Sequence, residues 1–218
     1  MNGPHQAEPL VWAGRPPGEA SAAVVMVHGR GATAESILEL RQEFARPGLA
    51  YVAPQASGYT WYPYSFLAPM EQNEPGLSSG LARLGEALAE LGAGGIPPEK
   101  TILLGFSQGA CLMLEFAARN ARRYGGLVAL SGGLIGPPGT PRSYPGSFAG
   151  TPVFLGCSDR DPHIPRERVD ETAEVMETMG AEVAERIYPG MGHTVNQDEM
   201  DHVRRIVAGV VTPIPSRS

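Results

Sequence analysis

TILLGFSQGACLMLEFAAR, residues 101–119, is the stretch that decides the fold. Its first five residues predict a strand buried on both faces, and residues 110–119 predict an apolar helix. Between them, the pattern G-x-S-x-G at 105–109 places Ser107 on a sharp turn from strand to helix. Such a turn holds a serine in a strained conformation with its hydroxyl exposed, and the flanking glycines let neighbouring backbones pass close by. We therefore predict that Ser107 is a nucleophile.

A second match to the same pattern, GLSSG at 76–80, lacks this context. It follows the polar segment EQNEP at 71–75, where a nucleophile turn would need a buried strand. We interpret Ser78 as a helix-capping residue.

Outward from this turn, short apolar runs alternate with longer amphipathic ones, which is typical of βα units around a mostly parallel sheet. The predicted strands are 22–27, 49–52, 101–105, 127–130, 152–155 and 182–188. One helix is predicted to follow Thr33 as its N-cap, and the others are predicted over 81–91, 110–119, 165–179 and 198–211.

This alternation predicts a single α/β domain over residues 1–218, with a mostly parallel central sheet flanked by helices. The connector 132–150 is rich in Gly and Pro and is too short to form a separate cap domain. Residues 1–6 and 213–218 are expected to be frayed.

The bulk composition restricts the class of partner. The chain has 42% hydrophobic and 18% charged residues and a formal net charge of −6, which argues against a nucleic-acid partner. Cys111 and Cys157, the two cysteines, are predicted to be free buried thiols, which fits a reducing compartment. The first ten residues do not resemble a signal peptide, and no apolar run is long enough to span a membrane. We therefore expect a cytoplasmic protein.

A serine hydroxyl needs a base to take its proton, and histidine has a suitable pKa. Of the five histidines, His193 lies in a Gly-flanked segment directly after the last predicted strand. His5 lies in the expected frayed start, His28 opens a glycine turn, and His202 lies on the last helix among charged residues. We predict His193 as the base, with His163 as its rival.

A carboxylate must hold the imidazole of the base in one tautomer. Asp159 and Asp161 both follow the strand predicted over 152–155, and Asp161 precedes Pro162, which favours an extended, fixed backbone. Asp159 is expected to pair with Arg160. We predict Asp161 as the acid, and the resulting chain order Ser, Asp, His is that of the α/β-hydrolase fold.

A tetrahedral intermediate carries a negative oxygen, which backbone N–H groups must stabilise. One predicted donor is Gln108, whose amide follows the nucleophile and lies at a helix N-terminus. The other should come from the turn His28-Gly29-Arg30-Gly31, in which Arg30 is the best-placed residue.

Four motifs spread over most of the chain resemble those of the phospholipase/carboxylesterase family, which includes acyl-protein thioesterases and bacterial carboxylesterases. They are V-H-G-x-G at 27–31, G-F-S-Q-G at 105–109, D-P-x-I-P at 161–165 and G-x-x-H at 190–193. The resemblance implies a Ser-His-Asp esterase of the α/β-hydrolase fold with no metal or organic cofactor, often a homodimer.

The sequence departs from this family at Arg30, because the residue at that position is commonly apolar in the thioesterase branch. The Arg30 side chain is expected to face an anionic substrate or a carboxylate of the protein, and to oppose a long acyl tunnel. Trp61, Tyr62 and Phe66 are expected to form the wall of the substrate pocket, unless this aromatic segment only covers the core. His163 is expected to contribute to the same pocket.

We therefore expect a serine carboxylesterase that hydrolyses small or aryl carboxylic esters through an acyl-enzyme on Ser107. The alternative is an acyl-protein or acyl-carrier thioesterase or a lysophospholipase, against which Arg30 counts. A dienelactone hydrolase would be expected to carry a cysteine at the position of Ser107. A non-catalytic binding module is disfavoured because Ser107, Asp161 and His193 are all present. The expected partner is a small-molecule ester.

Overall fold

The computed structural model describes residues 3–211, which contain one seven-stranded sheet flanked by helices. The strands are β1 (Leu10–Gly14), β2 (Ala22–Val27), β3 (Leu49–Pro54), β4 (Thr101–Phe106), β5 (Gly126–Leu130), β6 (Pro152–Ser158) and β7 (Glu182–Tyr188). The helices are α1 (Ala34–Glu39), α2 (Gly76–Ala93), α3 (Gln108–Arg119), α4 (Arg166–Thr178) and α5 (Gln197–Val210). The strand order is β1-β3-β2-β4-β5-β6-β7, with β1 antiparallel to β3 and the other neighbouring pairs parallel. The predicted fold class is confirmed.

Helices cover the sheet on both faces, which explains the continuous apolar runs of its central strands. In β2, Ala23, Val25 and Val27 pack in the core on the side of α2, α3 and α4. The alternate residues of the same strand pack on the opposite side, with α1 and α5. A parallel strand covered on both faces needs an apolar side chain at every position. Helix α3 lies so deep in this arrangement that residues 108–118 are all buried.

Helices α4 and α5 lie within one residue of their predicted bounds at each end. Thr33 caps α1 through a reciprocal pair of hydrogen bonds with Ser36, as expected of an N-cap residue. Helix α2 differs, because it begins at Gly76 and ends at Ala93, beyond both predicted ends. The first turn of α2, outside the predicted range, also packs on the core through Leu77.

The N-terminal segment departs from expectation in two ways. Strand β1 was not predicted: its apolar run is only four residues long, and as an edge strand it leaves Trp12 37% exposed. The prediction that residues 1–6 fray is wrong for residues 3–6, since His5 is buried and its amide donates to Ser79 Oγ at 2.9 Å. Residues 1–2 and 213–218 lie outside the described residues.

The connector between β5 and β6 contains neither a helix nor a strand over residues 132–150, all of which the structure describes. Its Leu134, Ile135 and Phe148 side chains are buried in the core beside α3 and α4. The connector therefore packs against the body of the fold and does not form a separate cap domain. Among residues 3–211, none of the helices has both the length and the apolar character that a bilayer crossing needs.

Candidate active site

Ser107 occupies the tight turn between β4 and α3, with φ of 54° and ψ of −122°. The two flanking glycines make this turn sterically feasible. A Cβ atom at Gly105 would lie 2.6 Å from the backbone of Ala110, and one at Gly109 would collide with the carbonyl oxygens of Val27 and His28. The sequence pattern G-x-S-x-G is therefore a direct consequence of how closely α3 approaches β2 and β4.

The structure brings Ser107, His193 and Asp161 together at the carboxyl ends of β4, β7 and β6. His193 Nε2 lies 2.9 Å from Ser107 Oγ, and His193 Nδ1 lies 2.7 Å from Asp161 Oδ2. When Nδ1–H donates to the carboxylate, the Nε2 lone pair faces the serine hydroxyl and can accept its proton. Histidine 163 is not in this chain of hydrogen bonds; its ring lies edge-on to that of His193, with centroids 4.9 Å apart.

The Asp161 carboxylate is held on both oxygens, and its side chain is fully buried. Oδ1 accepts hydrogen bonds from the amides of His163 at 2.8 Å and Ile164 at 3.1 Å. Burial alone would raise the pKa of Asp161, but the hydrogen bond with His193 and these two amides together lower that pKa below its usual value. The carboxylate therefore stays ionised at neutral pH.

The loop that carries His193 is fixed by the residues just before Asp161. The amide of Gly190 donates to Asp159 Oδ1 at 2.7 Å, and the amide of Gly192 donates to Ser158 Oγ at 3.1 Å. The expectation that Asp159 pairs with Arg160 is wrong, because its carboxylate binds this loop instead. The sequence analysis did not predict that Ser158 binds the His193 loop. The only signal in the sequence is its place at the end of β6.

A buried thiol completes the surroundings of Asp161. Cys157 Sγ lies 3.8 Å from Asp161 Oδ2, and burial together with the charge of Asp161 raises the pKa of the Cys157 thiol to about 12. Cys157 and Cys111 are both free and buried, as predicted. At neutral pH, Cys157 is a protonated S–H donor beside the carboxylate and not a nucleophile.

The two expected oxyanion donors flank Ser107. Gln108 is the first residue of α3, where backbone N–H groups have no acceptor within the helix. The turn that carries Arg30 lies against Ser107, since a Cβ atom at Gly29 would be 3.4 Å from Ser107 Cβ. Among the described residues, the Arg30 side chain does not face a carboxylate of the protein. Its guanidinium donates to backbone carbonyl oxygens, and among the described residues it forms no ion pair.

A cavity of about 510 Å³ opens at Ser107 and His193. Tyr62, Phe66 and His163 line it, as expected, together with Arg30, Gln108, Phe106, Cys111 and Ile164. The expectation that Trp61 lines the pocket is wrong. Trp61 is fully buried between the rings of His5 and His28, and its Nε1–H donates to the His28 carbonyl at 2.9 Å. Its indole supports the pocket wall from behind.

The other candidates lie outside this arrangement. Ser78 is not the cap of α2; it lies exposed in the first turn, and its hydroxyl donates to Glu74 at 2.6 Å. His28 is fully buried, with Nε2 accepting the amide of Ala56. Within residues 3–211, no group of three or more His, Cys, Asp or Glu side chains is arranged to hold a metal ion.

The first turn of α5 contains a buried carboxyl group that sequence reasoning missed. Glu199 is fully buried, and its Oε2 accepts the amide of Asn196 at 2.8 Å in the cap that follows the His193 loop. Its Oε1 has no hydrogen-bond partner among the described residues. Burial and the charge of Asp198 raise the pKa of Glu199 to about 7, against 4.5 for a free side chain.

Substitution Glu199→Gln is expected to stabilise the protein at alkaline pH. The unfolded chain loses its proton above pH 4.5, whereas the folded protein keeps it up to about pH 7, so stability falls as pH rises through this window. At pH 8 the variant should gain at most about 3 kcal/mol in the free energy of unfolding, and far less at pH 5. Urea unfolding at both pH values measures this, and an equal change at both would contradict the raised pKa.

A sequence model of the phospholipase/carboxylesterase family matches residues 13–210. This chain belongs to the phospholipase/carboxylesterase family. The family resemblance stated from the four motifs is thereby confirmed, and the chain is a hydrolase of the α/β-hydrolase superfamily.

The phospholipase/carboxylesterase assignment agrees with individual relatives. A solved phospholipase/carboxylesterase from Dyadobacter fermentans is 46% identical, with a TM-score of 0.89 over 93% of this chain and 97% of that one. The acyl-protein thioesterase 1 of Aspergillus fumigatus is 26% identical over 88% of this chain and 89% of that protein. The acyl-protein thioesterase 1 of Gibberella zeae is 33% identical, but the match covers 55% of this chain and spans about half, 52%, of that relative.

Proposed function

We propose that this chain is a serine carboxylesterase that hydrolyses small or aryl carboxylic esters through an acyl-enzyme on Ser107. One observation carries the proposal: the hydrogen-bonded series Asp161, His193 and Ser107 ends in a cavity. A strained serine hydrogen-bonded to an imidazole, with a buried carboxylate behind it, is the arrangement that activates a hydroxyl for acyl transfer.

In the proposed mechanism, His193 Nε2 takes the proton of Ser107 Oγ as that oxygen bonds to the acyl carbon. The carbonyl oxygen becomes negative and accepts hydrogen bonds from the amides of Arg30 and Gln108. The intermediate expels the alcohol, which takes the proton from His193, and the acyl group remains on Ser107. A water molecule then gives its proton to His193 and attacks the acyl carbon, and Ser107 recovers its proton as the acid leaves.

The shape of the cavity supports short acyl groups as substrates. Four of the residues that line it are buried, namely Tyr62, Phe66, Cys111 and Ile164. The connector 132–150 adds no cap that could enclose a long chain.

We expect p-nitrophenyl esters from acetyl to hexanoyl to be the best substrates. Each methylene buried in a deep groove contributes about 0.8 kcal/mol, so kcat/KM would climb about fourfold per added carbon there. In this cavity, kcat/KM should reach a plateau and then fall. A series from acetyl to palmitoyl, measured below the micelle concentration, tests the expectation, and a steady rise through dodecanoyl would contradict it.

The second candidate function is hydrolysis of acyl thioesters, which is favoured by the two relatives named acyl-protein thioesterase 1. Matched oxygen esters and thioesters of the same acyl groups separate the two candidates. A kcat/KM that is highest for long-chain thioesters would support the thioesterase. A homodimer and a cytoplasmic location stay predictions that follow from the resemblance and from the two reduced thiols.

A further inference from the structure

The Arg30 side chain bridges two loops at the rim of the cavity. Its Nη2 donates to the carbonyl oxygens of Tyr62 and Tyr64, both at 2.8 Å, and its Nη1 donates to that of Pro63 at 3.0 Å. These three consecutive carbonyls belong to residues 59–66, called the aromatic loop below. A charged donor makes stronger hydrogen bonds than a neutral one, so the guanidinium binds this loop firmly even though Arg30 is exposed.

Gln108 binds the same loop from the opposite side of Ser107. Its Oε1 accepts the amide of Trp61 at 2.9 Å, and its Nε2 donates to the Tyr62 carbonyl at 2.8 Å. The Tyr62 carbonyl therefore receives hydrogen bonds from the side chains of both proposed oxyanion donors. The Tyr62 carbonyl oxygen therefore connects the two residues whose amides would stabilise the oxyanion to the wall of the acyl pocket.

The turn at residues 28–31, called the glycine turn, is hydrogen-bonded to the aromatic loop. It belongs to no helix or strand, and Gly31 has a φ of +77° with open space where a Cβ atom would be. Glycine-containing segments lose much conformational entropy when they are fixed. The Gly31 amide donates to the Tyr59 carbonyl at 2.7 Å, Trp61 Nε1–H donates to the His28 carbonyl at 2.9 Å, and the Arg30 guanidinium adds a side-chain attachment to the aromatic loop.

We propose that the Arg30 side chain is a positioning residue that fixes the oxyanion-binding amide of the glycine turn and the acyl-pocket wall of the aromatic loop together. This inference rests on the proposed function. A planar guanidinium can donate from two nitrogens to three consecutive carbonyls, which a lysine ammonium cannot reproduce in the same geometry. Loss of the side chain should therefore displace an oxyanion donor and relax the pocket wall at the same time.

The test compares Arg30→Met and Arg30→Lys with the wild-type protein, using p-nitrophenyl acetate and octanoate. Arg30→Met keeps an apolar stem but no donor, and should lower kcat on acetate by roughly 10- to 100-fold with little change in KM. The loss on octanoate should be smaller, because a relaxed wall admits a longer chain. Arg30→Lys should have a kcat on acetate between those of Arg30→Met and the wild-type protein. Arg15→Met, which removes an exposed arginine paired with Glu19, is the matched control and should keep wild-type kinetics.

A tetrahedral mimic separates positioning from general stability. A trifluoromethyl ketone that adds to Ser107 should bind Arg30→Met more weakly, in proportion to the loss of kcat/KM, while the melting temperature changes little. Equal losses on acetate and octanoate, with unchanged affinity for the ketone, would overturn the proposal. So would an Arg30→Met variant with wild-type kcat, and in that case the proposed function would stand. A wild-type protein inactive on both esters would instead overturn the proposed function, and the positioning role with it.

Discussion

Replacing Ser107 with Ala is expected to lower kcat for ester hydrolysis by roughly 10³- to 10⁶-fold, because the triad acts as a unit and only binding and oxyanion stabilisation remain. The protein should still fold. The Ser107 hydroxyl makes its hydrogen bond to His193, at the surface of the cavity, and its removal leaves the glycines of the turn in place. The rate of p-nitrophenyl butyrate hydrolysis measures the loss of kcat, and the melting temperature measures whether the variant still folds.

Ser78→Ala is the matched control for this experiment. Both serines lie in a G-x-S-x-G pattern, but the Ser78 hydroxyl is exposed and bonded to Glu74. Its removal should leave kcat within about twofold of wild type, as expected of an exposed substitution far from the site. A Ser107→Ala variant that kept more than about a tenth of wild-type kcat would contradict the nucleophile assignment.

The sequence was informative about the site because the fold is built from parallel strands. The residues proposed as nucleophile, acid and base each follow the carboxyl end of a strand, and those ends meet at one edge of the sheet. Recognising the strands β4, β6 and β7 in the sequence therefore sufficed to predict that Ser107, Asp161 and His193 lie near each other. Strand β7, predicted over 182–188, has these same bounds in the structure.

Contacts between segments that are distant in sequence could not be predicted in this way. The buried His5 is hydrogen-bonded to Ser79, which lies 74 positions away. Trp61 is hydrogen-bonded to the glycine turn, and Arg30 is hydrogen-bonded to the aromatic loop. An aromatic side chain favours burial wherever apolar surface is available, so its chemistry does not distinguish a pocket wall from the core behind it. The charge of Arg30 likewise suggested an anionic partner, whereas three neutral carbonyls bind the guanidinium.

Asp161→Asn is expected to lower kcat by roughly 10³- to 10⁴-fold, by analogy with loss of the orienting carboxylate in other triads. The amides of His163 and Ile164 require an acceptor at Oδ1, so the new amide oxygen should stay there and the NH₂ group should face His193 Nδ1. A donor at that place favours the tautomer with its proton on Nε2, which cannot accept the proton of Ser107. KM and the melting temperature should change much less than kcat.

Asp159→Asn is the matched control, since it makes the same chemical change two residues away. Its carboxylate accepts the Gly190 amide at 2.7 Å, and an asparagine oxygen can accept the same hydrogen bond. The His193 loop should therefore keep its position, and kcat should fall less than about tenfold, in line with the loss of one exposed charge-assisted hydrogen bond. Measuring both variants on one ester at several pH values decides the assignment. If Asp159→Asn were the severely impaired variant and Asp161→Asn the mild one, Asp159 would be the orienting acid, and the hydrogen bond between Asp161 and His193 would be structural.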